Sequence, residues 1–236
     1  VFFIAACASV LAVALICIFL FANGIPAMKE IGFGNFLSGK MWKPKNEIFG
    51  ILPMIVGSLY VTAGAIIFGV PIGILTAVFM AYYCPKKIYK PLKAATELLA
   101  GIPSVVYGFF GLVVIVPLIR TIGRDLGFGG NGSSILTASL LLGMMILPTI
   151  IGLTESSIRA VPSHYYEGAV ALGATHERAI FRVVIPAAKS GVIAAIVLGV
   201  GRAIGETMAV IMVAGNQARM PAGIFRGVRT LTANVV

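Results

Sequence analysis

Long apolar runs separated by polar stretches set the pattern of this chain. The runs are continuously apolar and do not alternate, which favours helices over strands. A helix that crosses a bilayer needs about 20 mostly apolar residues, and it satisfies its own backbone groups in lipid. Five runs meet this description: residues 1–21, 51–83, 94–119, 135–153 and 190–214. The pattern therefore predicts an all-α, polytopic bundle of transmembrane helices.

Two of these runs contain residues that interrupt a helix. Pro71 lies in the second run, and Gly-Ile-Pro-Ser occupies residues 101–104 of the third. Proline removes a backbone donor, and glycine adds conformational freedom. We therefore expect a tilted or bent helix around Pro71 and a break or kink at residues 101–104.

Composition supports the membrane interpretation. Of the 236 residues, 59% are hydrophobic and only 11% are charged, whereas soluble domains carry about 25% charged residues. A soluble fold cannot hide so much apolar surface, so a soluble enzyme is excluded. The formal charge of +10 comes mostly from lysines and arginines between the apolar runs, where membrane proteins keep them. Nucleic-acid binding is therefore not predicted.

Five crossings divide the loops between two sides of the membrane. Loops 84–93 and 154–189 share one side, and loops 22–50, 120–134 and 215–236 share the other. The two sides carry nearly equal numbers of lysines and arginines, so the densest cluster, in loop 84–93, is used to orient the chain. Because cytoplasmic loops are enriched in basic residues, we expect loops 84–93 and 154–189 to be cytoplasmic.

The runs and loops together predict a single transmembrane domain over residues 1–236. Its longest cytoplasmic segment is 154–189. No basic region precedes the first apolar run, so a cleaved signal peptide is not expected.

Two glycine patterns resemble nucleotide-binding loops but lack their context. Residues 34–40 fit most of a P-loop, yet Met41 stands where a magnesium-binding hydroxyl is required. Residues 127–132 have the dinucleotide-binding spacing but lie between two predicted spans. A turn is the better interpretation of the second pattern. Any ATP chemistry is therefore expected to come from a partner.

Catalytic and metal-binding residues are not predicted. The two histidines, His164 and His176, lie in the polar segment 154–189, so no span offers a histidine base to a nucleophile. Asp125 is the only aspartate, which excludes a two-aspartate mechanism. The cysteines have no disulfide or metal spacing: Cys7, Cys17 and Cys84. No cofactor is expected.

The polar segment 154–189 contains local helix signals. Ser163 is able to cap a helix over residues 163–172, and Gly173 suits the turn that ends it. A second helix is predicted from about Thr175, and Pro186 is expected to end or bend it. A surface helix of this kind can dock in a groove of a partner.

The same segment resembles the "EAA" motif of ABC importer permeases. That motif reads Glu-Ala-Ala, three residues, Gly, nine residues, Ile-x-Leu-Pro. This chain departs from it at Gly168, Val183 and Ile185 and otherwise keeps the register. In the family, this segment is the cytoplasmic coupling helix that seats on the ATPase. The resemblance assigns coupling to Glu167, Gly168, Ala169, Leu172, Gly173 and Pro186.

Two further segments resemble the permease subunits of phosphate importers. They are Gly-Ile-Pro-Ser-Val-Val-Tyr-Gly-Phe-Phe-Gly at 101–111 and Gly-Arg-Ala-Ile-Gly-Glu-Thr-Met-Ala-Val at 201–210. Sulfate and molybdate permeases share an Arg-Ala-x-Gly-Glu element but continue differently. The resemblance runs from about Phe33 onward. It implies the type I ABC importer (MetI-like) fold, with six spans in a full subunit, of which five are visible here.

The resemblance also implies a function and partners. The chain would be a multi-pass permease of the bacterial inner membrane that imports inorganic phosphate by alternating access. Its partners would be a homologous permease subunit, cytoplasmic ATP-binding subunits, an extracytoplasmic phosphate-binding protein and membrane lipid. Three alternatives remain open: a sulfate or molybdate permease, a channel or secondary transporter, and a membrane scaffold without transport.

Arg202 and Glu206 are two charges inside the fifth apolar run. A charge at the bilayer centre costs about 2.5–3.5 kcal/mol on insertion scales, so both are expected to face the bundle interior. Spacing of four residues places them on one helix face. The pair either fixes helix packing or forms a polar element on the anion path. Thr207 and Ser104 are hydroxyl candidates for the same path.

Overall fold

A computed structural model describes residues 2–127 and 129–235 of the chain. Val1, at the start of the predicted run 1–21, and Phe128, in the glycine pattern 127–132, lie outside the described residues, as does Val236. By contacts, the chain divides into two compact units, residues 1–53 and 54–236. That the whole chain works as one permease domain stays a prediction.

The first unit begins with α1 and continues into a second helix and a short hairpin. Helix α1 continues well beyond the predicted run 1–21 and has no buried residue. The P-loop-like residues lie largely on the short second helix. Trp42 and Phe49 face each other across the hairpin, with ring centroids 5.6 Å apart. The elements are α1 (Phe2–Ile31), α2 (Phe33–Ser38), and the antiparallel strands β1 (Trp42–Lys43) and β2 (Ile48–Phe49).

From Leu52 to Val213 the described chain is mostly helical. Helices α3, α5 and α8 each contain one π-helical turn, at Phe79–Tyr83, Gly111–Ile115 and Ile180–Val184 respectively. The helices are α3 (Leu52–Tyr83), α4 (Lys86–Gly101), α5 (Ser104–Asp125), α6 (Ile135–Arg159), α7 (Ser163–Ala171), α8 (His176–Ala187), α9 (Lys189–Gly205) and α10 (Met208–Val213).

Within the described residues, four helices are long and apolar enough to cross a membrane: α1, α3, α5 and α6. Helices α8 and α9 meet at a bend of 70° and make a fifth span if they cross as one unit. The predicted third span, 94–119, differs because Ile102 and Pro103 adopt extended ψ angles and separate α4 from α5. The fifth span also ends early, at Gly205.

Helix α6 is the centre of the second unit. Its Leu142, Ile146 and Ile150 side chains are almost fully buried. Glycines let the neighbouring helices approach it closely, as membrane packing favours. Gly64 of α3 lies against Ser139, and Gly191 of α9 lies against Ser157. These contacts place the ends of α6 in fixed relation to α3 and α9.

The segment after α10 folds back over the start of α6. The Leu136 amide donates to the Ile224 carbonyl at 2.9 Å, and the Ile135 amide donates to Arg226 at 3.1 Å. These amides belong to the first turn of α6, whose N–H groups have no partner within the helix. The returning segment therefore satisfies the beginning of the central helix.

Candidate functional site

The predicted coupling segment forms the short helix α7. Its bounds, Ser163–Ala171, agree with the predicted helix 163–172 to within one residue. The predicted cap is wrong: Pro162 occupies the N-cap position, and no side chain caps the helix. Ser163 is already the first helical residue, so its hydroxyl stands one position too late to accept from the first-turn amides.

Gly173 ends α7 in the left-handed conformation, with φ of 86°. The Gly173 amide donates to Val170 at 2.9 Å, and the Ala174 amide donates to Ala169 at 3.0 Å. These two bonds form a Schellman motif, which satisfies the last carbonyls of a helix. The predicted role of Gly173 as the residue that ends the helix is confirmed.

One side of α7 is open to the surroundings. Glu167 and Gly168 are exposed and Ala169 is half-buried. Three apolar side chains next to them are also exposed: Tyr165 by 47%, Val170 by 41% and Leu172 by 92%. An exposed apolar patch beside a carboxylate is a suitable surface for a partner protein.

Helix α8 follows α7 after a short turn. The helix begins at His176, next to the predicted start at about Thr175, and the Thr175 hydroxyl caps it by accepting from the Arg178 amide at 3.4 Å. Pro186 lies just before the 70° bend between α8 and α9. The prediction that Pro186 ends or bends this helix is confirmed, because α8 ends at Ala187 and α9 starts at Lys189 in a new direction, with Ala188 between them.

An aromatic cluster attaches α7 and α8 to the end of α3. Tyr166 and His176 share a hydrogen bond of 2.7 Å between the phenol oxygen and Nδ1. The Tyr83 ring centroid lies 5.1 Å from that of His176, and the Tyr82 centroid lies 5.8 Å from that of Tyr166. Both tyrosines belong to the π-helical turn of α3. Helices α7 and α8 therefore both contact this turn.

A second cluster surrounds Glu155, near the cytoplasmic end predicted for α6. Glu155 is 1% exposed. Its carboxylate accepts from the Tyr89 hydroxyl at 2.7 Å, from Lys93 Nζ at 2.9 Å and from Arg159 Nε at 2.8 Å. Arg159 also donates to the Met80 carbonyl at 2.8 Å, and its guanidinium lies 4.8 Å from the Tyr89 ring centroid. This cluster joins α3, α4 and α6.

The hydrogen bond to Glu155 raises the pKa of Lys93 above its ordinary value, so this ammonium stays charged at neutral pH. Sequence reasoning missed Glu155 as a site residue. Its only local sign is a carboxylate at the end of an apolar run, four residues before Arg159. The partners on α4 are more than 60 residues away along the chain.

Arg202 lies in the last turn of α9 and is exposed. Its Nη1 donates to the Thr149 hydroxyl of α6 at 3.3 Å. The negative end of the helix dipole favours a cation at this position. Arg202 therefore brings an accessible positive charge to the surface where α6 and α9 meet.

Glu206 does not share a helix face with Arg202, so the predicted arrangement of the pair is wrong. Helix α9 ends at Gly205, and Glu206 adopts an extended conformation with ψ of 125°. Its carboxylate accepts from the Ala209 amide at 3.1 Å, at the start of α10. Each charge therefore lies at the helix end whose dipole favours it, and the two form no ion pair.

The two predicted hydroxyl residues lie at helix starts and are half-buried. Ser104 is the first residue of α5. Thr207 precedes α10, and its hydroxyl donates to the Gly205 carbonyl at 3.4 Å. Among the described residues no hydrogen bond joins either hydroxyl to Arg202, so their place on a translocation path stays a prediction. Within the same residues, no group of three or more potential metal ligands comes together.

Comparison with known proteins identifies the family. Residues 69–233 match the binding-protein-dependent transport system inner membrane component. The chain belongs to this permease family. The predicted ABC permease fold and inner-membrane location are thereby confirmed. The matched residues of this permease run from within α3 through α10 and include α7, Arg202 and the Glu155 cluster.

Relatives of this permease cover most of its length. The phosphate transport system permease protein PstC of Mesorhizobium japonicum is 37% identical over 93% of this chain and 72% of the relative. The probable ABC transporter permease protein YqgH of Bacillus subtilis is 39% identical over 97% of this chain and 75% of the relative. A PstC protein of Haemophilus influenzae is 35% identical over 84% and 68% respectively.

A solved structure shares the permease fold. The inward-facing methionine ABC transporter MetNI matches with a TM-score of 0.56 at 21% identity. The match covers 76% of this chain and 79% of that chain. This likeness supports the MetI-like architecture that the sequence predicted.

Proposed function

We propose that this permease is the membrane subunit of an ATP-driven importer of inorganic phosphate. Relatives named as phosphate transport permeases, at 37% and 35% identity, support this substrate. The structural observation that carries the proposal is Arg202, an exposed guanidinium near the end of a predicted span. A phosphate oxygen is a strong acceptor for such a group.

The surroundings of Arg202 favour the interpretation that its side chain faces an ion path and not lipid. Its hydrogen-bond partner is a neutral hydroxyl, that of Thr149, and the Glu206 carboxylate is committed to α10. Among the residues that the structure describes, no carboxylate pairs with Arg202, and such a membrane charge is expected to face a water-filled path or another subunit. A single weak contact also suits conduction, because a deep binding site would trap the ion. Glu206, Thr207 and Ser104 are proposed to shape the same path.

The partners follow from the family and from α7. A homologous permease subunit, similar to PstA, is proposed to complete the path beside Arg202. Cytoplasmic ATP-binding subunits, similar to PstB, are proposed to bind α7 through Glu167, Leu172 and the apolar patch around them. A phosphate-binding protein, similar to PstS, is proposed to deliver the anion. In this assembly the chain itself is a transport subunit, and ATP is hydrolysed by its partner.

The test is uptake of labelled phosphate by the purified complex in proteoliposomes. With the binding protein outside and ATP inside, we expect uptake that requires ATP and that excess sulfate or molybdate leaves unchanged. Uptake of sulfate or molybdate in preference to phosphate would identify a related oxyanion permease. Uptake without ATP would identify a channel or a secondary transporter.

Arg202→Ala is expected to lower phosphate uptake about tenfold or more, since a charge-assisted hydrogen bond contributes about 1.5–3 kcal/mol. Arg202→Lys keeps the charge and is the matched control, with a smaller loss. Because Arg202 is exposed, both variants should reach the membrane in normal amounts. Equal uptake by the wild type and Arg202→Ala would remove Arg202 from the path.

A further inference from the structure

The π-helical turn of α3, residues Phe79–Tyr83, is contacted from two directions. Tyr82 and Tyr83 pack on Tyr166 and His176 of the coupling segment. The Met80 carbonyl accepts from Arg159 at the end of α6. Turns of this kind recur at functional sites because they disturb the regular hydrogen-bond ladder.

The sequence explains why Met80 needs an outside donor. In the π-helical pattern the Cys84 amide donates to the Phe79 carbonyl at 2.8 Å. The next carbonyl in this pattern, that of Met80, would accept from residue 85, but Pro85 has no N–H. The Arg159 guanidinium takes that place. The end of α3 is therefore attached to α6 by a side chain that also binds Glu155.

Glu155 extends this attachment to α4. Its buried carboxylate holds Arg159 from its own helix and Tyr89 and Lys93 from α4. Helix α4 leads to the break at Ile102 and Pro103, after which α5 begins. Tyr107 of α5 in turn donates to the Leu99 carbonyl of α4 at 2.9 Å, across this break.

We propose that Glu155 is a positioning residue that transmits movement of the coupling helix to the translocation path. Displacement of α7 acts through Tyr166 and His176 on the α3 turn, and Glu155 with Arg159 carries it to α4. The proposal rests on the function proposed above, with α7 as the ATPase contact. It adds a residue that contacts neither the ATPase surface of α7 nor the anion path.

The discriminating quantity is the number of ATP molecules hydrolysed per phosphate imported, measured in proteoliposomes holding the complete complex. For Glu155→Gln we expect this ratio to rise about fivefold or more, the range of typical coupling energies. ATP hydrolysis should stay near the wild-type rate while uptake falls. Glu30→Gln is the matched control, because it makes the same chemical change at an exposed site outside the Glu155 cluster and should leave the ratio unchanged.

A second pair of variants keeps the test decisive if Glu155→Gln assembles poorly. Tyr89→Phe removes one donor and keeps the ring beneath Arg159, so it should raise the ratio by a smaller factor. In a Glu155→Gln and Lys93→Gln double variant, the ratio should equal that of Glu155→Gln, because both act through one contact. Tyr89→Phe at the wild-type ratio, or hydrolysis and uptake falling together in every variant, would overturn the proposal.

Measurements on the wild-type complex distinguish a failure of this proposal from a failure of the proposed function. A wild type that hydrolyses ATP and imports sulfate in place of phosphate would contradict the substrate, and the ratio would then be measured with sulfate. A wild type that imports without ATP would contradict both proposals. ATP-driven phosphate uptake with an unchanged ratio in Tyr89→Phe and Glu155→Gln would contradict the role of Glu155 alone.

Discussion

Gly173→Val is expected to reduce ATP-driven phosphate uptake to the level seen without ATP. Gly173 has φ of 86°, and a left-handed conformation costs an L-residue about 1–2 kcal/mol, most of all when it is β-branched. Valine would open the Schellman motif and move Leu172, the most exposed apolar side chain of the proposed docking surface. Uptake and co-purification of the ATPase would both be measured.

Gly173→Asn is the matched control, because asparagine accepts the left-handed conformation more readily than other residues. It should retain most of the uptake. Steric contact does not complicate the comparison, since no atom lies within 4 Å of a Cβ built on Gly173. Wild-type uptake in Gly173→Val would contradict the role of this turn in ATPase coupling.

Local residue chemistry made the coupling segment predictable. Gly173 stops one helix, Thr175 caps the next, and Pro186 precedes the bend. Gly173 and Pro186 act through their own backbone, and the Thr175 hydroxyl acts on an amide three residues away, so the local sequence is enough to place these helix ends. The prediction of Ser163 as the cap was wrong by a single position, because the preceding Pro162 already has the extended conformation that an N-cap requires.

The arrangement of Arg202 and Glu206 depended on contacts that the sequence does not display. An uninterrupted apolar run predicts one helix over 190–214, but the chain breaks after Gly205. The break is held by the Glu206 carboxylate on the Ala209 amide and by the Thr232 hydroxyl, which donates to the Glu206 carbonyl at 3.1 Å. Thr232 is 26 residues away along the chain, so its contribution is tertiary.

The Glu155 cluster also could not be predicted from the sequence. Its acceptor and donors are ordinary residues at the ends of predicted elements, and Lys93 read as part of a basic loop. Only the packing of α4 beside α6 brings them within hydrogen-bond distance of Glu155. Apolar periodicity predicts which segments are helices, but it does not predict which helix ends meet.

Gly64→Ala is expected to destabilise the fold by about 2–3 kcal/mol, the upper part of the range for overpacking a close contact. A Cβ on Gly64 would lie 2.3 Å from Ser139 Oγ and 2.6 Å from Ser139 Cβ. The hydroxyl cannot turn away without losing its bond to the Val61 carbonyl, so α3 and α6 must separate. The melting temperature of the solubilised protein should fall by roughly 5–10 °C.

Two companion variants determine whether the loss comes from this contact. Ser139→Gly in the Gly64→Ala background removes both clashing atoms and should recover much of the melting temperature. Gly152→Ala lies on α6 where no atom is within 4 Å of the added Cβ; because alanine favours helix, it should not destabilise. Equal melting temperatures for the wild type and Gly64→Ala would mean that α3 and α6 do not pack as closely as Gly64 and Ser139 require. Recovery by Ser139→Gly would instead show that α3, which ends in the π-helical turn, packs directly on α6, which carries Glu155.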